Sequence, residues 1–139
     1  MSQQIREIMT KSPQCVQPDT VVTDIAGTMR DQDVGAVLVT NDGRLLGVVT
    51  DRDLVTRFLA DGGDPGTTTA QAVASSADYT LAPDDHVSRA VDIMRDQAVR
   101  RLPVVEDGRP VGIVSIGDLA IERDERSALA DISAAPANK

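Results

Sequence analysis

The chain predicts a mixed α/β (α+β) fold of two pseudo-symmetric β-α-β-β-α repeats packed as one module. The first observation behind this is an internal repeat: a shift of sixty-five residues lays residues 18–54 on 83–119 without a gap, with 16 of the 37 positions identical. The second is that apolar residues recur at helical spacing at the same place in each copy, as Val22, Ile25, Ala26 and Met29 and as Val87, Ala90, Val91 and Met94. The third is an apolar run, an Asp-Gly turn and a second apolar run in each copy, which reads as a hairpin. Two copies are too few for a solenoid, so the halves are expected to cover each other's apolar faces and function is expected where they meet.

The elements follow in order. Residues 2–10 read as a short helical lead-in with Ser2 as a candidate N-cap and Ile5 and Ile8 on one face, matched before the second repeat by Thr69-Ala70-Gln71-Ala72-Val73. Cys15-Val16-Gln17 is a short strand stopped by Pro18, after which Asp19 or Thr20 is placed to cap the first helix. Ala36-Val37-Leu38-Val39-Thr40 runs into the turn Asn41-Asp42-Gly43-Arg44 and returns as Leu45-Leu46-Gly47-Val48-Val49-Thr50, with a second helix over 51–59. The first three elements form a crossover, expected to be right-handed. Continuous rather than alternating apolar runs imply a sheet covered on both faces. Pro103 places its strand at a sheet edge or at a bulge. Repeat one is assigned 5–60, repeat two 69–122, and 123–139 a C-terminal helical extension and tail with Leu129 and Ile132 as anchors and 133–139 frayed.

A chain of 139 residues suffices for one domain, and with Phe58 and Tyr79 as its only aromatics the core must be built from aliphatic residues. The net charge of -8 argues against nucleic acid or an anionic membrane as partner, though not against a small phosphorylated ligand in a locally basic pocket. No apolar signal region or membrane-spanning stretch is visible, and Cys15, the single cysteine, cannot form an internal disulfide, so a cytoplasmic location is expected.

Each repeat closes on the same pattern, Gly47-Val48-Val49-Thr50-Asp51-Arg52-Asp53-Leu54 and Gly112-Ile113-Val114-Ser115-Ile116-Gly117-Asp118-Leu119. A hydroxyl residue followed at three by an acid is a helix-capping box. The same placement also suits a ligand, because the helix start favours an anion beside Thr50 or Ser115 and an Asp one turn in can accept from neighbouring ribose hydroxyls. Both readings stand on the sequence, and the repetition favours the second.

Tandem strand-helix-strand-strand-helix units, each ending in Gly-hydrophobic-x-Thr/Ser-x-x-Asp, resemble cystathionine β-synthase (CBS) domains, and the pair resembles a Bateman module over about residues 5–122 of a stand-alone CBS-domain protein. The resemblance implies two clefts for adenine nucleotides, each lined by both repeats. The first would draw on Ser115, Gly117, Asp118, Arg100, Arg101 and Ile113 with Thr10, Pro13, Cys15, Val34 and Gly35. The second would draw on Thr50, Arg52, Asp53, Val48 and Ala36 with Ser75, Asp78, Thr80 and Val99. Arg100-Arg101 stands where repeat one has Gly35-Ala36, and Arg52 where repeat two has Gly117, so each cleft holds a candidate phosphate cation from a different place. The alternative for these arginines is a solvated or ion-paired surface.

The resemblance further implies a homodimer, a regulated partner protein, and AMP, ADP or ATP as a regulatory ligand rather than an obligatory cofactor. Rival readings are a ligand-free structural or dimerisation module and a related adenosyl ligand such as S-adenosylmethionine. No catalytic residue and no metal ligand is assigned: His86 reads as a lone exposed histidine, Cys15 as a small residue lining a pocket, and Asp51-Arg52-Asp53 and Asp84-Asp85 as helix starts.

Overall fold

In a computed structural model of the protein, residues 3–123 are described. The expectations for Ser2, Leu129, Ile132 and 133–139 lie outside them. A 3-10 turn at Ile5–Glu7 leads into β1 (Thr10–Lys11), followed by β2 (Cys15–Val16), α1 (Val22–Gln32), β3 (Ala36–Asn41) and β4 (Arg44–Thr50). Then come α2 (Asp51–Asp53), which continues as a π-helical turn over Leu54–Leu59, α3 (Ala70–Val73) and β5 (Ser75–Ser76). The remainder is α4 (Val87–Gln97), β6 (Arg101–Glu106), β7 (Arg109–Ser115) and α5 (Ile116–Arg123). The expected α+β class is observed. No helix among the described residues is long and apolar enough to cross a membrane.

The chain forms two compact units: a continuous unit, Pro13–Asp78, and a split unit that joins the segment ending at Ser12 to the one beginning at Tyr79. The continuous unit carries a sheet of order β2-β3-β4-β5, in which β2 is parallel to β3 and the other pairs are antiparallel. The split unit carries β1-β7-β6, antiparallel throughout. Both hairpins turn on Asp-Gly with positive φ at both residues, 53° and 79° for Asp42 and Gly43 and 55° and 80° for Asp107 and Gly108. That is the geometry whose twist matches the flanking strands.

Each lead-in belongs to the unit formed mainly by the other repeat. In the split unit Ile5 N–H donates to the Asp85 carbonyl, Arg6 N–H to that of Pro83, and Val87 N–H to that of Gln3, each at 2.9 Å. In the continuous unit Ala70 N–H donates to Thr20 at 2.7 Å, while Gln71 N–H to Pro18 and Val22 N–H to Thr68 span 2.9 Å. These bonds occupy backbone groups at the starts of α1 and α4 that a helix leaves unpaired. They also correct the capping expectation. Val21, not Asp19 or Thr20, is the N-cap of α1, and its apolar side chain has no atom to cap with; Thr20 Oγ1 instead accepts from Gln17 N–H at 3.1 Å in the preceding turn. At the matching position His86 caps α4 through Nδ1, which accepts from Ser88 N–H at 3.0 Å.

Pro103 lies on β6, the terminal strand of its sheet. Its carbonyl accepts from Leu81 N–H on the side away from β7, and its ring removes the donor there. In the other repeat Leu38 uses that donor to bond the Gln14 carbonyl at 2.9 Å. The loss explains why β2 has only a single bridge, Leu81 to Val104, as its counterpart. The register shift after Val104 recurs after Val39 and so is not caused by the proline.

Each unit has its own core. Ile5, Leu81, Val87, Ala90, Met94, Leu102, Val104, Val114 and Leu119 fill the split unit. Val22, Ile25, Val37, Val39, Val49, Phe58, Ala70 and Val73 fill the continuous one. Ala26, expected on the buried stripe, is exposed. At two matched positions the large and small residues trade places: Ile5 with Ala90 in one core, Ala70 with Ile25 in the other, all four fully buried. Volume is conserved by exchanging which element supplies it.

The close approach of the lead-in strands requires glycine. A Cβ on Gly47 would stand 2.7 Å from the Ser75 carbonyl oxygen, and one on Gly112 would stand 2.5 Å from Met9 Sδ and 3.0 Å from the Thr10 carbonyl oxygen.

Two outcomes are expected in urea unfolding. Ile5→Ala should cost about 2–5 kcal/mol, and adding Ala90→Ile, which recreates the pairing of the other core, should restore part of it. Gly47→Ala should cost about 1–3 kcal/mol, because β5 has to move away from β4.

Candidate functional site

Both closing motifs form the capping box. Thr50 Oγ1 accepts from Asp53 N–H at 3.1 Å while Asp53 Oδ2 accepts from Thr50 N–H at 3.0 Å. Ser115 and Asp118 repeat the exchange at 3.2 and 2.8 Å. The capping and ligand readings are therefore compatible: the box fixes each carboxylate through Oδ2 and leaves Oδ1 to another donor. An anchored carboxylate with one oxygen outside its anchor suits hydroxyl recognition, since less side-chain freedom remains to be lost.

In the continuous unit that other donor is Ser75, whose Oγ lies 3.3 Å from Asp53 Oδ1. Arg57 Nη1 in turn donates to Ser75 Oγ at 3.0 Å. Guanidinium donates only and carboxylate accepts only, so the chain runs in one direction, from Arg57 through the Ser75 hydroxyl to Asp53. Ser75 is placed by β5, which lies opposite Val48 of β4, and Ala36 lies opposite Thr50. The Gly35 carbonyl accepts from Asp51 N–H at 2.9 Å, which brings the entry to β3 against the helix start. Val48, Thr50, Asp53 and Ser75 are half-buried, whereas Arg52, Arg57 and Asp78 are exposed.

The split unit matches this frame with different side chains. Thr10 takes the register position of Ser75, opposite Ile113, and makes no hydrogen bond to Asp118 among the described residues. Arg101 lies opposite Ser115, and the Arg100 carbonyl accepts from Ile116 N–H at 3.0 Å. The structure thus brings Thr10, Arg100, Arg101, Ile113, Ser115, Gly117 and Asp118 around one closing motif. Pro13, Cys15, Val34 and Gly35, which the resemblance groups with these, belong to the continuous unit, and Thr80 and Val99, grouped with Asp53, belong to the split unit.

Several arginines are consumed at the surface: Arg30 pairs with Asp31, Arg89 with Asp85, and Arg95 with Asp92 and Asp96. The hydrogen bond and charge of Arg30 hold the Asp31 carboxyl below its usual range. Arg52, Arg57 and Arg100, by contrast, make no ion pair among the described residues. Cys15 Sγ donates to the Pro13 carbonyl at 3.5 Å, and burial pushes its thiol up, away from the reactive thiolate. No group of three or more His, Cys, Asp or Glu among the described residues is arranged to hold a metal.

Sequence reasoning missed Arg57. Its spacing of four from Asp53 on one helix was the available signal. Its partner is instead Ser75, eighteen residues away, which only the pairing of β5 with β4 brings near.

The model of the CBS domain matches the chain twice, at residues 5–60 and 70–124. Hypoxic response protein 1 of Mycobacterium tuberculosis (strain CDC 1551 / Oshkosh) is 38% identical over 116 residues, covering 83% of this chain and 81% of that protein. A crystal structure of Hypoxic Response Protein I with two coordinated zinc ions superposes with a TM-score of 0.79 at 36% identity, covering 88% of this chain and all of that one. The CBS domain protein PAE2072 from Pyrobaculum aerophilum, complexed with AMP, superposes with a TM-score of 0.78 at 28% identity, covering 96% of this chain and 100% of that one. The repeated closing motif, the shared architecture and these likenesses agree: the chain belongs to the CBS-domain family, regulatory modules, as a tandem pair of CBS domains.

Proposed function

We propose that the protein binds an adenine nucleotide, AMP, ADP or ATP, at its closing motifs and acts as a cytoplasmic regulatory sensor. Occupancy would shift its conformation, or its homodimeric assembly, toward a form that a partner protein recognises. The observation that carries this reading is the state of the two carboxylates. Asp53 and Asp118 are each locked through Oδ2 and, among the described residues, keep Oδ1 for an exchangeable donor or for none. Two neighbouring ribose hydroxyls are the donors that such an oxygen suits. The AMP bound to the PAE2072 protein supports the ligand class. Zinc is not carried over from the hypoxic response protein, because the described residues lack a cluster to hold it.

Regulation requires more than occupancy. The ligand must bind one arrangement better than another, and it shifts the equilibrium by no more than that difference. Calorimetric titration with AMP, ADP, ATP and S-adenosylmethionine tests the binding step on the wild type, Asp53→Asn and Asp118→Asn. Asparagine keeps an oxygen for the cap and removes the charge. The expected result is nucleotide binding to the wild type that weakens about tenfold or more at one site in each variant. Heat and thermal stabilisation that persist unchanged in both variants would place any ligand elsewhere. Their absence with all four compounds would leave a structural module.

A further inference from the structure

We propose that Arg57 is the anion-selecting residue of the continuous unit's site, making that site prefer a phosphorylated adenosine to one with a neutral or cationic tail. The inference rests on the nucleotide reading above and adds a residue that the closing motif does not contain.

Three observations carry it. First, Arg57 is exposed and makes no ion pair among the described residues, yet it is held at the site by one hydrogen bond, 3.0 Å to Ser75 Oγ. A guanidinium has five N–H donors in a planar fork, so most of its capacity is left for an anion. Second, that bond is coupled to the carboxylate. Ser75 Oγ has a single proton, which it gives to Asp53 Oδ1 at 3.3 Å. A ligand hydroxyl donating to Oδ1 displaces that proton and frees Ser75 to turn. Arg57 then exchanges a neutral hydroxyl partner for whatever anion the ligand carries, whose oxygens match the guanidinium fork and can accept two parallel hydrogen bonds. Third, the arrangement occurs once among the described residues. The repeat register puts Glu122 where repeat one has Arg57, and Thr10 at the Ser75 position makes no bond to Asp118 among the described residues. Charge selection of this kind is therefore a property of one site.

Arg57 is distinct in this respect from Arg52, whose backbone N–H is tied to Asp51 Oδ1 at 2.8 Å at the helix start and whose side chain has no bond to Ser75 or Asp53. Substituting Arg57 disturbs no core, because the side chain lies outside the buried set.

The test uses the chain carrying Asp118→Asn, so that the continuous unit's site is the tighter of the two, and compares AMP with adenosine by calorimetry. The expected result is that Arg57→Gln weakens AMP about ten- to a hundredfold while adenosine stays within about twofold, and that Arg57→Lys falls between. In the reciprocal Asp53→Asn background, Arg57→Gln should leave the tighter binding, at the split unit's site, unchanged. An unchanged ratio of AMP to adenosine affinity in Arg57→Gln, with the loss appearing in Arg52→Gln instead, overturns the assignment and leaves the nucleotide reading standing. Binding of neither AMP nor adenosine to the Asp118→Asn chain overturns the nucleotide reading of this site and the inference with it.

Discussion

The structure depends on an exchange of short backbone segments. Each lead-in turn donates and accepts main-chain hydrogen bonds with the turn before the first helix of the other repeat, Ile5 with Asp85 in one unit and Ala70 with Thr20 in the other. The same segments then add a two-residue strand to the edge of a hairpin, β1 on β7 and β5 on β4. Without them α1 and α4 would begin with unpaired N–H groups and each core would lose a fully buried residue, Ile5 or Ala70. The glycine of the closing motif follows from the exchange, since any larger residue at 47 or 112 would collide with the added strand. So does the site, because β5 is what delivers Ser75 to Asp53.

A duplicated frame need not have duplicated chemistry. The backbone matches at the capping boxes, the hairpins and the lead-in bonds, where main-chain geometry leaves little choice. Side chains outside that frame have diverged in charge: Gly35 and Ala36 against Arg100 and Arg101, Arg52 against Gly117, Arg57 against Glu122. Apolar positions diverge in a compensated way, as the reversed pairing of Ile and Ala shows, because a core registers volume more than identity. Matched geometry with altered charge is what the proposed pair of related but unequal binding sites requires.

Much of this was legible in the sequence. Asp-Gly turns, apolar runs and the repeated stripe place both hairpins and both long helices, because each is a local signal. The stripe failed only at Ala26, where a small residue on the helix flank needs no burial. The strands β1 and β5 were not visible: two residues carry no periodicity, and Ser75-Ser76 is a strand only because β4 lies beside it. The cap at Val21 escaped for a related reason, the Val22 N–H being satisfied by a lead-in remote in sequence, while His86, read as a lone exposed side chain, caps Ser88 N–H through its own imidazole. The motif pointed to Asp53 and Asp118 but not to Arg57, whose link to the site runs through a strand pairing. The π-helical turn over Leu54–Leu59, which carries Arg57, likewise has no distinct local signal.

On the proposed reading the capping box and nucleotide recognition use different oxygens of one carboxylate, and that reading stands or falls on the division. A crystal structure of the full chain with AMP tests it most directly. The account predicts the Thr50–Asp53 and Ser115–Asp118 boxes unchanged, ribose hydroxyls within about 3 Å of the Oδ1 atoms, and Ser75 turned away from Asp53. Ribose bound away from both aspartates, or an AMP-bound state in which Ser75 still donates to Asp53 Oδ1, would contradict it.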